Sequence, residues 1–72
     1  MSSTIRLKIG QKIKEIRKKR GYTQEQLAEL ADIDYKYLQK IEGKSPPALK
    51  VDTIDKVAKA LKIQTAKLFD FR

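Results

Sequence analysis

The chain contains no cysteine, no histidine and no tryptophan. Without thiols there is no disulfide, no thiolate nucleophile and no cysteine-ligated metal site. Without imidazole the commonest general base and the commonest metal ligand are both missing. Three glycines and two prolines in 72 residues leave no Gly-rich phosphate loop, no repeat and no low-complexity linker. No apolar run approaches the about 20 residues of a membrane span, and the first residues lack the apolar stretch of a signal peptide. The expected location is therefore the cytoplasm. No inward-facing pair of carboxylates is evident, so neither an enzyme nor a bound cofactor or metal is expected.

Positive charge is abundant: 17 Lys and Arg against 9 Asp and Glu give a formal +8. Its distribution is uneven. Residues 1–20 carry eight cations against Glu15 alone, whereas residues 21–34 carry Glu25, Glu29, Asp32 and Asp34 and no base. Residues 35–50 turn basic again through Lys36, Lys40, Lys44 and Lys50. A pI near 9.9 with such clustering is the footprint of a polyanion binder, although solvated surface lysines would give the same totals.

Seventy-two residues make one small domain, expected over 1–72, able to bury only about 60% of its unfolded surface. The periodicity is helical throughout. Ile5, Ile9, Ile13 and Ile16 recur at helical spacing and predict a first helix over about 4–20, ending at Gly21. Gly10 lies inside it, a small cost that permits close packing. Val51, Ile54, Val57, Ala58 and Leu61 predict another over about 51–62, with Asp52 and Asp55 suited to the helix dipole. A short last helix is expected at about 65–70. The segment GKSPPALK reads as a loop held extended by Pro46 and Pro47.

Between these lies TQEQLAELADIDYKYLQKIEGK. Thr23 and Gln26 form a capping box for a helix of about 24–31. Asp34 caps another of about 35–43, stopping at Gly43. Helices of about eight residues do not persist alone in water, so the two must pack on one another. The joint Asp32-Ile33-Asp34 is short enough to set them at a steep angle, which is a helix-turn-helix at about 24–43. On a helical wheel, Leu38 and Ile41 of the second helix point inward and Lys36, Gln39 and Lys40 outward, with Tyr35 and Tyr37 on the shoulders. Such a face suits the major groove, where lysine and glutamine reach base edges and tyrosine hydroxyls reach phosphates. The acidic stripe Glu25, Glu29 and Asp32 lies on the outer side of the first helix of the pair. It leaves the basic surface to select which face meets DNA.

The segments IGQKIKEIRKKRGYTQEQLAELA, IDYKYLQKIEGK, VDTIDKVAKALKI and LF resemble the phage repressor and Cro-like helix-turn-helix regulators, often called the xenobiotic-response-element type. The likeness runs from about Gly10 to Phe69. It implies an all-α, five-helix domain acting as a DNA-binding transcriptional regulator, with repression the expected action. It implies base contacts from Tyr35, Lys36, Gln39 and Lys40, and phosphate contacts from Gln24, Tyr37 and Lys44. It further implies a structural salt bridge between Arg17 and Glu42. Asp32 stands where the family usually has glycine, so a left-handed backbone is expected there. Lys50 replaces the usual small N-cap residue, and the loop before Val51 is about one residue longer than usual.

The expected partner is double-stranded DNA, in the form of an inverted-repeat operator bound by a homodimer. A single groove helix offers too few base contacts to select a site alone. The pairing surface is expected around Ile63, Leu68 and Phe71, although an aromatic so near the terminus is as readily folded back. No separate effector domain fits in this length, so no small-molecule ligand is expected, nor any membrane partner. A protein-interaction module, such as an antitoxin-like or anti-repressor domain, remains the alternative. RNA also fits the charge, but no aromatic-bearing strand surface is available to stack bases.

Overall fold

The computed structural model describes residues 4–71. Helix α1 spans Thr4–Lys19, α2 Gln24–Ala31, α3 Tyr35–Ile41 and α4 Val51–Ala60, and a 3-10 helix, Thr65–Phe69, follows. The expected fifth α-helix is thus a single tight turn, as befits five residues that bury only Leu68. Among the described residues the architecture is all-helical. α2 packs on both α3 and α4, while α1 packs on α3 and the 3-10 helix.

One core joins these elements. Ile9, Ile13 and Ile16 of α1 meet Leu27, Ala28 and Ala31 of α2, Leu38 and Ile41 of α3, and Ile54, Val57 and Ala58 of α4. Leu61 and Leu68 close it from the C-terminal side. Two residues of the expected apolar stripes are left out. Ile5 is 45% exposed and Val51 is 78% exposed, because each lies at a helix end, past the reach of its neighbours. Loop residue Pro46, by contrast, is buried.

Local chemistry explains where the helices begin. Thr23 Oγ1 accepts the Gln26 amide N–H at 3.0 Å, and Gln26 Oε1 accepts the Thr23 N–H at 2.8 Å. This reciprocal box satisfies two donors that would otherwise be orphaned. Asp34 accepts the Tyr37 N–H at 3.2 Å and starts α3. Lys50 stands at the N-cap of α4 without a side-chain cap.

Three helix ends share one device. α1, α2 and α4 are followed by Gly21, Asp32 and Lys62, with φ of +79°, +57° and +61°. In each case the next residue, Tyr22, Ile33 or Ile63, donates its N–H five residues back, to Arg17, Ala28 or Ala58, at 3.0–3.1 Å. That is a Schellman closure, and its apolar follower packs on the core each time. The left-handed turn expected at Asp32 is present. Lys62 was expected inside a helix running to about 62; α4 in fact ends at Ala60. α3 differs from these three. It stops at Ile41, two residues short of the expected Gly43, and Gly43 does not take positive φ.

Because a side chain in the left-handed region costs roughly 1 kcal/mol, Asp32→Gly and Lys62→Gly should each be neutral or stabilising by up to about 1 kcal/mol. The midpoint of urea unfolding measures this. A clear loss at Lys62 would mean that its side chain does more than end α4.

Candidate nucleic-acid interface

Seven residues of α3 divide cleanly between two faces. Leu38 and Ile41 are fully buried, and Lys36, Gln39 and Lys40 are exposed on the opposite side. Tyr35, at 39%, is open to solvent on one shoulder. Tyr37 on the other is half-buried against the core. The outward face therefore offers two ammonium groups, one carboxamide and one phenol on a short rigid rod. Lys44 extends it, exposed in the loop after α3.

What holds this rod in place is a buried polar junction. Arg17 lies on the inner side of α1, with its side chain 9% exposed, and the Glu42 side chain at the end of α3 is 1% exposed. Arg17 Nε donates to Glu42 Oε2 and Arg17 Nη2 to Glu42 Oε1, both at 2.9 Å. This bidentate fork is the strongest geometry available to the pair. The remaining guanidinium nitrogen, Nη1, donates to the Tyr22 carbonyl at 2.8 Å. Gln24 Nε2 donates to Glu42 Oε1 at 3.0 Å. Among the described residues no buried side-chain polar atom lacks a partner, as a charged junction in a small core requires.

The junction ties α1, the turn after it, the first residue of α2 and the end of α3 to one carboxylate. Gln24, expected on a phosphate, has its amide nitrogen committed to Glu42 and is half-buried. Its link to Glu42 has no signature in the sequence, because the two residues are 18 positions apart. A second brace is backbone packing: Gly10 of α1 faces the Ile41 carbonyl so closely that a Cβ there would overlap its oxygen. These two braces fix the end of α3 on the body of the protein.

The surface expected for pairing is rearranged. Leu68 is fully buried in the core, so it offers nothing to a partner, and Ile63 is half-buried. Phe71 is 36% exposed and folds back over α1, its ring centroid 5.6 Å from Lys8 Nζ. Phe69, not among the residues expected to pair, is 45% exposed and lines an open groove with Ile63 and Phe71. Glu25, Glu29 and Asp32 are all exposed, as is Leu30 beside them.

Among the described residues no group of acidic side chains could hold a metal ion, and no helix is long and apolar enough to cross a membrane.

Comparison with known proteins agrees with this geometry. The control protein C.BamHI of Bacillus amyloliquefaciens is 39% identical over 72 residues, covering 99% of this chain and 88% of that protein. The immunity repressor of Bacillus phage phi105 is 46% identical over 61 residues; these span 83% of this chain but 41% of the repressor. The structure of C.Esp1396I bound to a 19 base pair DNA duplex superposes with a TM-score of 0.85 at 29% identity, covering 94% of this chain and 89% of that one. The family model described as helix-turn-helix matches residues 13–68, which include the capped pair α2 and α3 and the junction that anchors them. The chain belongs to the repressor and Cro-like helix-turn-helix family.

Proposed function

We infer that the protein is a sequence-specific regulator of transcription that binds double-stranded DNA by placing α3 in the major groove. One observation carries this reading: an exposed polar face on a short helix that is rigidly braced from behind. A groove helix must arrive in a fixed orientation, because base-edge hydrogen bonds tolerate little misplacement. Tyr35, Lys36, Gln39 and Lys40 take the base edges. Tyr37, Lys44 and Gln24 take phosphates, Gln24 through the second hydrogen of its Nε2, the first being held by Glu42. Repression follows if the bound site overlaps a promoter. The protein acts as a binder rather than an enzyme, in the cytoplasm, where its DNA target lies, and residues 1–72 work as one domain.

The same reading includes two-fold assembly. Two copies would present two α3 helices to successive major-groove faces about 34 Å apart, on an inverted repeat. Phe69 and Phe71, with Ile63, form the exposed apolar surface for that contact, in place of the buried Leu68.

Selecting bound fragments from random duplexes gives the operator, and shift assays then test the roles. Lys36→Ala and Lys40→Ala should each narrow the gap between operator and random duplex, by about 1–3 kcal/mol for a bidentate contact. Lys44→Ala should weaken binding to both equally. Equal losses on both duplexes for all three variants would reduce α3 to a nonspecific clamp. Sedimentation with operator should give two protomers per site; one protomer on a site without two-fold symmetry would end the assembly reading.

A further inference from the structure

α1 carries more positive charge than the fold employs. Lys12 and Lys19 both pair with Glu15, at 3.9 and 3.3 Å. Arg17 is taken by Glu42, and Lys8 lies over Phe71. Lys14 and Lys18, by contrast, are exposed and have no hydrogen bond, ion pair or ring contact among the described residues. They stand four residues apart, where like charges destabilise a helix by a few tenths of a kcal/mol. Lys18, in the last turn of α1, suits the helix dipole, but no side chain of the fold engages either lysine.

Their position is specific. Lys14 and Lys18 follow Gly10 at successive turns of α1, about 6 and 12 Å further along its axis. Gly10 is the point where α1 touches the Ile41 backbone. With Gln11, Glu15 and Glu42 the two lysines line one shallow concavity beside the end of α3. Both acids of that concavity are already satisfied, Glu15 by Lys12 and Lys19 and Glu42 by Arg17 and Gln24. What remains is a cationic ledge with a carboxamide at its rim, next to the helix that enters the groove. We propose that Lys14 and Lys18, with Gln11, bind the phosphate backbone of the same duplex where it runs past the C-terminal end of α3.

The proposal rests on the DNA-binding reading above, and it extends the contact surface beyond α2, α3 and Lys44. Ledge contacts would be blind to sequence, so they add affinity and salt dependence without discrimination.

The test uses the full chain, an operator duplex from the selection and a random duplex of equal length. Affinity for both is measured across a salt series. Lys14→Ala/Lys18→Ala should lower the slope of log affinity against log salt by about 1.8, at about 0.9 for each phosphate no longer neutralised. The operator-to-random ratio should stay unchanged. Both sites are exposed helix positions and alanine is the best helix former, so far-UV circular dichroism should match the parent. Lys56→Ala/Lys59→Ala on α4, where Lys59 pairs with Asp55 at 3.0 Å, removes the same formal charge and should leave the slope within about a quarter of a unit, since the proposal puts neither lysine on a phosphate. An unchanged slope in the α1 variant, or an equal fall in both variants, overturns the ledge while leaving DNA binding intact. Failure of the parent protein to bind any duplex would instead overturn the DNA reading itself.

Discussion

Glu42→Ala should destabilise the protein by about 3–5 kcal/mol, the range for removing one partner of a buried ion pair. The carboxylate is 1% exposed and receives three hydrogen bonds, two from Arg17 and one from Gln24. Removing it strands a guanidinium that is itself 9% exposed, with only the Tyr22 carbonyl still in reach. Arg17→Met should cost a similar amount, because it leaves the carboxylate buried with a single neutral donor. The double variant Arg17→Met/Glu42→Leu should cost less than either single one. It removes both charges and fills the space with apolar volume, and such replacements are often near neutral. Urea unfolding of the four proteins forms the cycle. Losses that simply add would mean that the pair is not coupled. At roughly 0.05–0.15 kcal/mol per residue a domain of this size has about 4–11 kcal/mol in hand, so at the lower end of that range the single variants should show partial unfolding near physiological temperature. Their affinity for DNA should fall further than the folded fraction predicts, because Glu42 is also what orients α3.

Gly10→Ala should cost a net of about 2–3 kcal/mol, the upper range for overpacking a closed site. On an isolated helix the same change would stabilise by up to about 1 kcal/mol, since alanine is the better helix former. The sign is reversed by one contact. A Cβ at position 10 would overlap the Ile41 carbonyl oxygen and sit 3.2 Å from its carbon. The obstacle is backbone, so no side chain can rotate away. α1 and α3 would have to part, loosening the Arg17–Glu42 fork that spans the same two helices. The urea midpoint should fall with the slope of the transition unchanged. A neutral or stabilised variant would show that the two helices separate without cost, and that the close approach is not a brace.

Much of this protein is written locally. The capping box at Thr23 and Gln26, the cap at Asp34 and the left-handed turn at Asp32 each involve groups within five residues of one another. A linear sequence reports such groups directly. The inward Leu38 and Ile41 and the outward Lys36, Gln39 and Lys40 follow from helical period alone, and the division of the charge into basic and acidic stretches is read directly from residue order. Those features determined that the chain would pair two short capped helices and present a polar face to a polyanion.

Tertiary structure decided the rest, because it depends on which surfaces arrive opposite one another. Period places Ile5 and Val51 on apolar stripes, but no neighbour reaches them. Period also places Leu68 and Phe69 side by side without saying that one is enclosed and the other open. Lys62 ends α4 in a left-handed turn although lysine carries no local preference for it. Ile63 packs on the core just beyond it, and that burial favours the turn. Arg17 and Glu42 are 25 residues apart and Gln24 and Glu42 are 18 apart. The spacing of the sequence alone brings neither pair together. Only the fold converts an arginine on α1, a glutamine on α2 and the glutamate that follows α3 into the junction that aims α3.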